Sequence, residues 1–348
     1  MELGNVKKMG NNENETTKMN AVICTKYGSP QVLKLTKVIK PSTKDDEVLI
    51  RNYGTSINTI DTLHRGGKAP KVAFWGVKKV IGFFLRLSFG GLRKPKQKIP
   101  GGGFTGEIVS IGEKVTDWNV GDQVYGYSEQ GGACAEYMAI PVSALVKKPT
   151  NLNYQQTAAV PGGSTPALVA FRDLATPKKG DKVLIIGASG GIGTFAVQIA
   201  KKVYGAEVTG VCGPTNVDMV KEIGADFVID YSKEDYTKNE IKYDIILDVV
   251  AVKNLSKCKN ILASKGTYIS NNPISSPKNI FHLMTNNKRF KTGTADESAA
   301  AMSLIRDWIE DGKIKPVIDT VYPLSQTAEA HRHYETGRAK GRVVISIE

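Results

Sequence analysis

Val183-Leu184-Ile185-Ile186 followed by Gly187-Ala188-Ser189-Gly190-Gly191-Ile192-Gly193 is the stretch that decides the reading of this chain. It reads as a strand, a glycine turn and a helix start, placed mid-chain. Bare backbone at such a turn lets a ligand phosphate reach unpaired N–H groups at the positive end of the helix. The dinucleotide pattern G-x-G-x-x-G fits with one change, Ala188 for the first glycine. Glycine-rich turns also serve plain strand–helix packing, so the context has to arbitrate.

That context is a run of further strands and helices. Thr194–Val203 carries apolar residues at helical spacing, with Phe195, Ile199 and Val203 on one face. Glu207–Cys212 reads as a strand, Val217–Ile223 as a helix and Phe227–Asp230 as a third strand; Ile241–Val250 and Gly266–Ser270 supply two more. Short strands alternating with helices predict a doubly wound parallel sheet, an α/β domain of Rossmann type.

A length of 348 residues is long for one core and predicts two domains. The first half carries short strand candidates between Gly, Pro and Asp turns: Ala21–Cys24, Val32–Leu35, Val48–Tyr53, Phe104–Ile111, Gln123–Tyr127 and Ala135–Ile140. Their spacing predicts an all-β barrel or sandwich. Helices are expected at Ser298–Glu310 and Thr327–Gly337. A closing strand, Val343–Ile347, is expected to return to the first sheet. The expected division is a disordered tail over 1–18, a catalytic domain over 19–150, a nucleotide domain over 151–292 and a return to the catalytic domain over 293–348.

The four cysteines, at 24, 134, 212 and 258, form no close pair and no metal-like spacing, so a reduced cytoplasmic protein is the expectation. Residues 1–18 are polar and hold no apolar h-region, which argues against a signal peptide or anchor; Met19 is an equally natural start. The longest charge-free apolar segment, Val183–Ala200, contains four glycines and is no membrane span.

The order of motifs resembles the medium-chain dehydrogenase/reductase superfamily, and within it the zinc-independent quinone oxidoreductase (zeta-crystallin-like) branch. The resemblance is carried by Ser56-Ile57-Asn58-Thr59-Ile60-Asp61, Phe104–Val109, Gly121–Gly126, Gly187–Gly193, Ile223–Asp226 with Ile229-Asp230-Tyr231, and Gly341-Arg342-Val343-Val344. It implies a mainly β GroES-like barrel domain beside the Rossmann domain, and a homodimer joined through the nucleotide domains. Zinc-dependent members carry a catalytic Cys where this chain has Asn58, and Gly-His-Glu where it has Gly101-Gly102-Gly103. Three N, S or O ligands around an open position are what zinc catalysis needs. Of the four histidines, at 64, 282, 331 and 333, only the last two are close, and two apart on a helix they point to different sides, as on a solvated face. The expectation is that no metal is used. Short-chain dehydrogenases share a similar glycine turn, but they use Tyr-x-x-x-Lys, and none of the thirteen tyrosines here has lysine four residues on.

NAD-preferring folds place Asp or Glu near the end of the second strand to hold both ribose hydroxyls. Val208–Val217 contains no carboxylate, which removes the repulsion against a 2′-phosphate and predicts NADPH. The resemblance puts Gly213 and Tyr231 at that phosphate, with Thr215, Asn216 and Ser232 as further donors, and no arginine lies close in sequence to clamp it. Ser189, Gly190, Gly191, Ile192 and Gly193 are expected to hold the pyrophosphate, and Arg342 to contact the cofactor.

Without a metal or a Tyr–Lys pair, nothing obvious stabilises an alkoxide, so reduction of a simple ketone is disfavoured. Hydride transfer to a quinone or to the β-carbon of an α,β-unsaturated carbonyl spreads the charge over a conjugated oxygen and demands less. The resemblance makes Asn58 the residue that orients substrate or nicotinamide. Asp61 is either a catalytic anchor or a capping aspartate. Thr165, in Pro161-Gly162-Gly163-Ser164-Thr165, matches a family threonine near the nicotinamide. Tyr53, Tyr127 and Tyr137 are proton-donor candidates, although such a residue more often packs its ring from a strand.

Arg65–Lys98 departs most from the family, with ten Lys or Arg and no acid around Phe74, Trp75, Phe83, Phe84 and Phe89. It reads as an inserted lid-like segment, as a helix pair packed on the barrel, or as a peripheral membrane contact through 72–89. The formal charge of +13 raises nucleic acid as a partner, but the excess is spread and no nucleic-acid motif appears. An NADPH-binding redox sensor and a membrane- or nucleic-acid-associated protein are the non-catalytic alternatives.

Overall fold

A computed structural model describes residues 18–67, 94–95, 97–251, 254–272, 277–285 and 287–348. The readings of the tail over 1–17 and of the basic, aromatic segment over 68–93 lie outside the described residues. So do those of the helix at 72–89 within it.

Two sheets dominate. The first half of the chain supplies β1 (Lys18–Cys24), β2 (Leu33–Ile39), β3 (Glu47–Ser56), β4 (Gly103–Ile111), β5 (Gln123–Tyr127), β6 (Tyr137–Pro141) and β7 (Leu145–Lys147). The middle supplies β8 (Lys182–Ile186), β9 (Glu207–Cys212), β10 (Phe227–Asp230), β11 (Tyr243–Asp248), β12 (Leu262–Ser270) and β13 (Phe290–Lys291). The end supplies β14 (Ile318–Pro323) and β15 (Arg342–Ser346). The helices that matter for the site are α1 (Thr59–Gly66), α2 (Ser164–Val169), α3 (Gly193–Gln198), α4 (Val217–Glu222), α5 (Ala299–Glu310) and α6 (Thr327–Glu335).

Strands β8 to β13 form a parallel sheet in the order β10-β9-β8-β11-β12-β13. The order reverses at β8, so a crevice opens beyond its carboxyl end, which is where doubly wound sheets bind their ligands. Both faces are covered, and β8 is buried from Val183 to Ile186. That is why it reads as an unbroken apolar run rather than an alternating one. Phe195 and Ile199 press the helix that starts at α3 into this core with Leu168 and Phe171, each such side chain contributing about 2–3 kcal/mol by burial.

The second sheet runs β14-β15-β3-β4-β5-β7, with β6 also on β3. Its strands are largely antiparallel and its core is Val48, Ile50, Phe104, Ile108, Val124 and Met138. The chain's last strand, β15, pairs antiparallel with β3. It thereby carries Arg342 from the C-terminal end of the sequence to the mouth of the nucleotide sheet.

One expectation is corrected here. His331 does not lie on a solvated helix face: it is 1% exposed, packed in α6 beside Thr327 and Ala330. Burial pushes its imidazole down to about 3, with Arg65 adding to the effect, so it is a neutral core residue. His333 does face outward from the core, within 3.2 Å of Asp319 and 3.1 Å of the Tyr322 hydroxyl.

Candidate functional site

The nucleotide turn is built from backbone. Gly187 takes φ +88°, a left-handed conformation that favours glycine. The N–H groups of Gly187 and Ala188 both donate to Val211 O at 3.0 Å, which ties the turn to β9. A Cβ on Gly193 would lie 2.1 Å from Gly187 O, so only glycine lets α3 begin this close to the strand end. Ser189, Gly190, Gly191, Ile192 and Gly193 thus share one turn at a helix start, where the first N–H groups have no partner within the helix. Gly341 N–H donates to Ser189 O at 2.8 Å, so the lead into β15 is clamped across this turn.

Beside the turn, Gly213 follows β9 and Tyr231 follows β10. A Cβ at Gly213 would sit 3.1 Å from the Tyr231 hydroxyl, whose residue is 62% exposed. Asn216 Nδ2 donates to Ser189 Oγ at 3.1 Å, and Thr215 Oγ1 to Asn216 Oδ1 at 3.3 Å. These four residues therefore gather beside Ser189. Ser232 does not join them as a free donor. Its hydroxyl and N–H both go to Asp230 Oδ1, at 2.7 and 2.9 Å, and they hold that carboxyl below the usual range.

The second half of the site is made of side chains from distant segments. Asn58 and Asp61 form a capping box at the start of α1, in which Asn58 N–H donates to Asp61 Oδ2 at 2.8 Å. Asp61 Oδ1 also takes the Gly101 N–H at 3.3 Å. It is 4% exposed, and burial raises its pKa against these hydrogen bonds. Its role in the fold is to anchor the Asn58 loop to the Gly101–Gly103 strand entry. Arg342 reaches in from β15, 3% exposed. Its Nη2 donates to Ser56 Oγ (2.6 Å), Asn58 Oδ1 (2.6 Å) and Pro161 O (3.0 Å). Desolvation lowers its pKa, opposed by the fields of Asp61, Glu297 and the nearby tyrosines. Arg342 also crosses the nucleotide turn: a Cβ on Gly191 would lie 2.9 Å from its Cδ.

Thr165, buried in the first turn of α2, spends its hydroxyl on Glu297 Oε1 at 2.8 Å. Glu297 lies just before α5 and was not among the candidates. It is half-buried, its Oε2 is inaccessible and has no partner among the described residues, and burial pushes it up to about 7. Tyr127 stands in the combined field of Asp61, Glu297 and Arg342, its phenol raised mainly by burial. Tyr53 and Tyr137 are engaged elsewhere, on the Tyr154 ring at 4.4 Å and under Lys40 Nζ at 3.6 Å. Asn58, Asp61, Tyr127, Thr165, Glu297 and Arg342 are thus brought into one polar cluster beside the nucleotide turn.

The donor set bears on metal binding. Position 58 offers an amide, and position 102 offers no side chain: a Cβ there would meet the Tyr127 ring at 2.5 Å. Among the described residues, no three His, Cys, Asp or Glu side chains converge to hold a metal ion. Cys134 lies nearby, but it is buried and its thiol is raised by burial.

Residues 44–150 match the family model of an alcohol dehydrogenase GroES-like domain, and residues 223–345 that of a zinc-binding dehydrogenase. The chain is 30% identical over 347 residues to the quinone oxidoreductase of Sus scrofa, covering 94% of this chain and 98% of that one. It is 29% identical over 342 residues to the chloroplastic NADPH-dependent alkenal/one oxidoreductase of Arabidopsis thaliana, with coverage of 94% and 79%. The solved quinone oxidoreductase of Coxiella burnetii superposes with a TM-score of 0.81 at 26% identity, over 95% of this chain and all of that one. The chain belongs to the medium-chain dehydrogenase/reductase family of oxidoreductases, with a GroES-like domain joined to a Rossmann-type one.

Proposed function

We propose that the chain is an NADPH-dependent reductase that carries hydride to a quinone or an α,β-unsaturated carbonyl without zinc. The observation that carries this reading is the amide–cation pair Asn58–Arg342 at the nucleotide turn, with Asn58 at the position where a zinc-dependent relative would keep its cysteine. An amide, an absent side chain at Gly102 and the Tyr127 ring do not fit a zinc ion, and no step is derived through one. The similarity to quinone and alkenal/one oxidoreductases supports the acceptor class.

The residues fit a nicotinamide dinucleotide. Ser189, Gly191, Ile192 and Gly193 have main-chain amides available to a pyrophosphate, the Gly190 N–H being held by Gly187 O, and no side chain at Gly190 keeps the ligand at a distance. Gly213, Thr215, Asn216 and Tyr231 offer neutral donors and no carboxylate at the end of β9, which suits a 2′-phosphate. A reduced nicotinamide, when bound, supplies the hydride. Asn58 and Arg342 orient and polarise the acceptor, Asp61 holds their loop, and Thr165 with Glu297 closes the cluster on the α5 side.

The test is to follow oxidation of NADPH and of NADH with a panel of quinones and enones, before and after exhaustive chelation. The expected outcome is turnover of at least one acceptor class, faster with NADPH, with a rate that chelation leaves unchanged. Stoichiometric metal whose removal abolishes turnover would overturn the zinc-free reading, and turnover with NADH alone the cofactor assignment.

A further inference from the structure

We propose that Arg342 is a positioning residue: it turns the Asn58 amide so that the NH2 group donates to the acceptor oxygen on which negative charge grows. This rests on the acceptor class proposed above. A guanidinium has donors and no acceptor, so the Asn58 atom 2.6 Å from Arg342 Nη2 has to be the amide oxygen. With Oδ1 engaged there, Nδ2 is the half of the amide left to serve a ligand. Its one contact among the described residues is a long 3.4 Å approach to Ser56 O.

The amide is also prevented from turning over. Gly162, at φ +71°, lies flat against it: a Cβ there would be 2.4 Å from Oδ1 and 2.9 Å from Nδ2. Asp61 pins the Asn58 backbone from the other side. Arg342 itself is held by Ser56 Oγ and Pro161 O, and its stem threads the space left by Gly191. All three groups that accept from Nη2 are neutral, and no described carboxylate forms an ion pair with it. The Asn58 amide thus shares the guanidinium with Ser56 Oγ and Pro161 O and is polarised by it, and a donor attached to a polarised amide is stronger than an isolated one.

The chemistry that uses such a donor balances as follows. A bound reduced nicotinamide would supply hydride for the new C–H bond at the β-carbon and would itself be left oxidised. The C=C pair moves to join the α-carbon to the carbonyl carbon, and the C=O pair moves onto oxygen. Asn58 Nδ2–H stabilises that oxygen; a solvent proton then adds at the α-carbon and the oxygen pair re-forms C=O, which gives the saturated carbonyl product. Preorganised donors aimed at developing charge are where such sites gain most.

The experiment compares wild type, Asn58→Asp and Arg342→Lys with NADPH and an enone series graded in electron withdrawal. It measures kcat, KM for each substrate, dinucleotide Kd and melting temperature. Asn58→Asp keeps the shape and gives Arg342 an ion-pair partner, so the fold is expected to hold or gain stability. Yet kcat is expected to fall about 100-fold, the usual scale for losing one oxyanion donor, with dinucleotide Kd nearly unchanged. Both variants are expected to depend more steeply on electron withdrawal in the enone. Retention of kcat in Asn58→Asp would overturn the proposal, as would an unchanged substituent dependence. If Arg342→Lys moved only dinucleotide Kd, Arg342 would be a cofactor contact alone and the proposal would fall. Should Arg342→Lys fail to fold, Asn58→Asp decides alone. Wild type that reduces no enone or quinone would overturn the acceptor reading first, and this inference with it.

Discussion

The nucleotide turn and the Asn58 cluster lie against each other, yet they are built in opposite ways. The turn is one run, Gly187–Gly193, and its chemistry is main-chain amide made accessible by missing side chains. The cluster is five segments folded together, and its chemistry is side chains held from elsewhere in the chain: Asn58 by Arg342, Thr165 by Glu297, Asp61 by the Gly101 amide. A site made of backbone is broken by adding atoms. A site made of side chains is broken by changing which atom donates. The bridge between them is Gly341–Arg342, which bonds to the turn through Ser189 O and to the cluster through Asn58. The two regions should therefore fail in different observables, binding for the turn and turnover for the cluster.

The largest effect is expected at Gly193. Gly193→Val forces atoms into the 2.1 Å approach to Gly187 O, so α3 has to withdraw from the strand end. A loss of about 3 kcal/mol in denaturant midpoints is expected, together with loss of measurable dinucleotide binding by calorimetry. Normal binding would mean that the turn is not where the cofactor sits. Gly190→Asp is gentler on the fold, because the nearest atom to its added Cβ is Gly187 O at 3.6 Å. It brings a negative charge to the pyrophosphate, and dinucleotide Kd should rise by about tenfold or more at unchanged melting temperature. Gly162→Ala tests the other region: the added Cβ would collide with the Asn58 amide at 2.4 Å, at a φ that penalises alanine. Here kcat should fall by about tenfold while Kd for the dinucleotide stays within about twofold. A Kd that moved with kcat would erase the distinction between the two regions.

The same contrast explains what could be read in advance. β5, β9 and β10 were legible to the residue because short apolar runs end at Gly, Pro or Asp, and their meaning is local. β7 has three residues, the last of them Lys147 with Lys148 following, too short to carry a pattern. β14 mixes Asp319 and Thr320 into its run and becomes a strand through its parallel partner β15, a tertiary cause. The glycine turn announced itself for the same local reason. Glu297 could not: it lies in a polar Ala-Asp-Glu-Ser stretch, and it acquires its role from a threonine 132 residues away. Arg342 was named as a cofactor contact, but its hold on Asn58 joins residues 284 apart. His331 did leave a signal that was misread. Thr327, Ala330, His331 and Tyr334 recur at i, i+3, i+4 and i+7, the spacing of an inward helix face.

The smallest effect concerns the charge of Glu297, and it separates the cluster from the turn by pH. The turn uses main-chain amides and has nothing to titrate there, whereas burial lifts Glu297 from an ordinary value of 4.5 to about 7. A raised folded pKa means that the native state binds this proton more tightly than the unfolded chain does. Its contribution to stability is therefore full below about 4.5 and is lost as pH climbs through 7. Thr165, Arg342 and the Gly162 amide favour the ionised form, and Asp296 opposes it, so the loss is partial. Glu297→Gln stays neutral at every pH. Relative to wild type it should gain on the order of 2 kcal/mol in denaturant midpoints between pH 5 and 8, with the gain levelling off above 7. Two parallel stability curves over that range would mean that Glu297 is already ionised in the fold. The Thr165–Glu297 contact would then carry a full negative charge next to Asn58, the opposite of what an oxyanion-stabilising cluster requires.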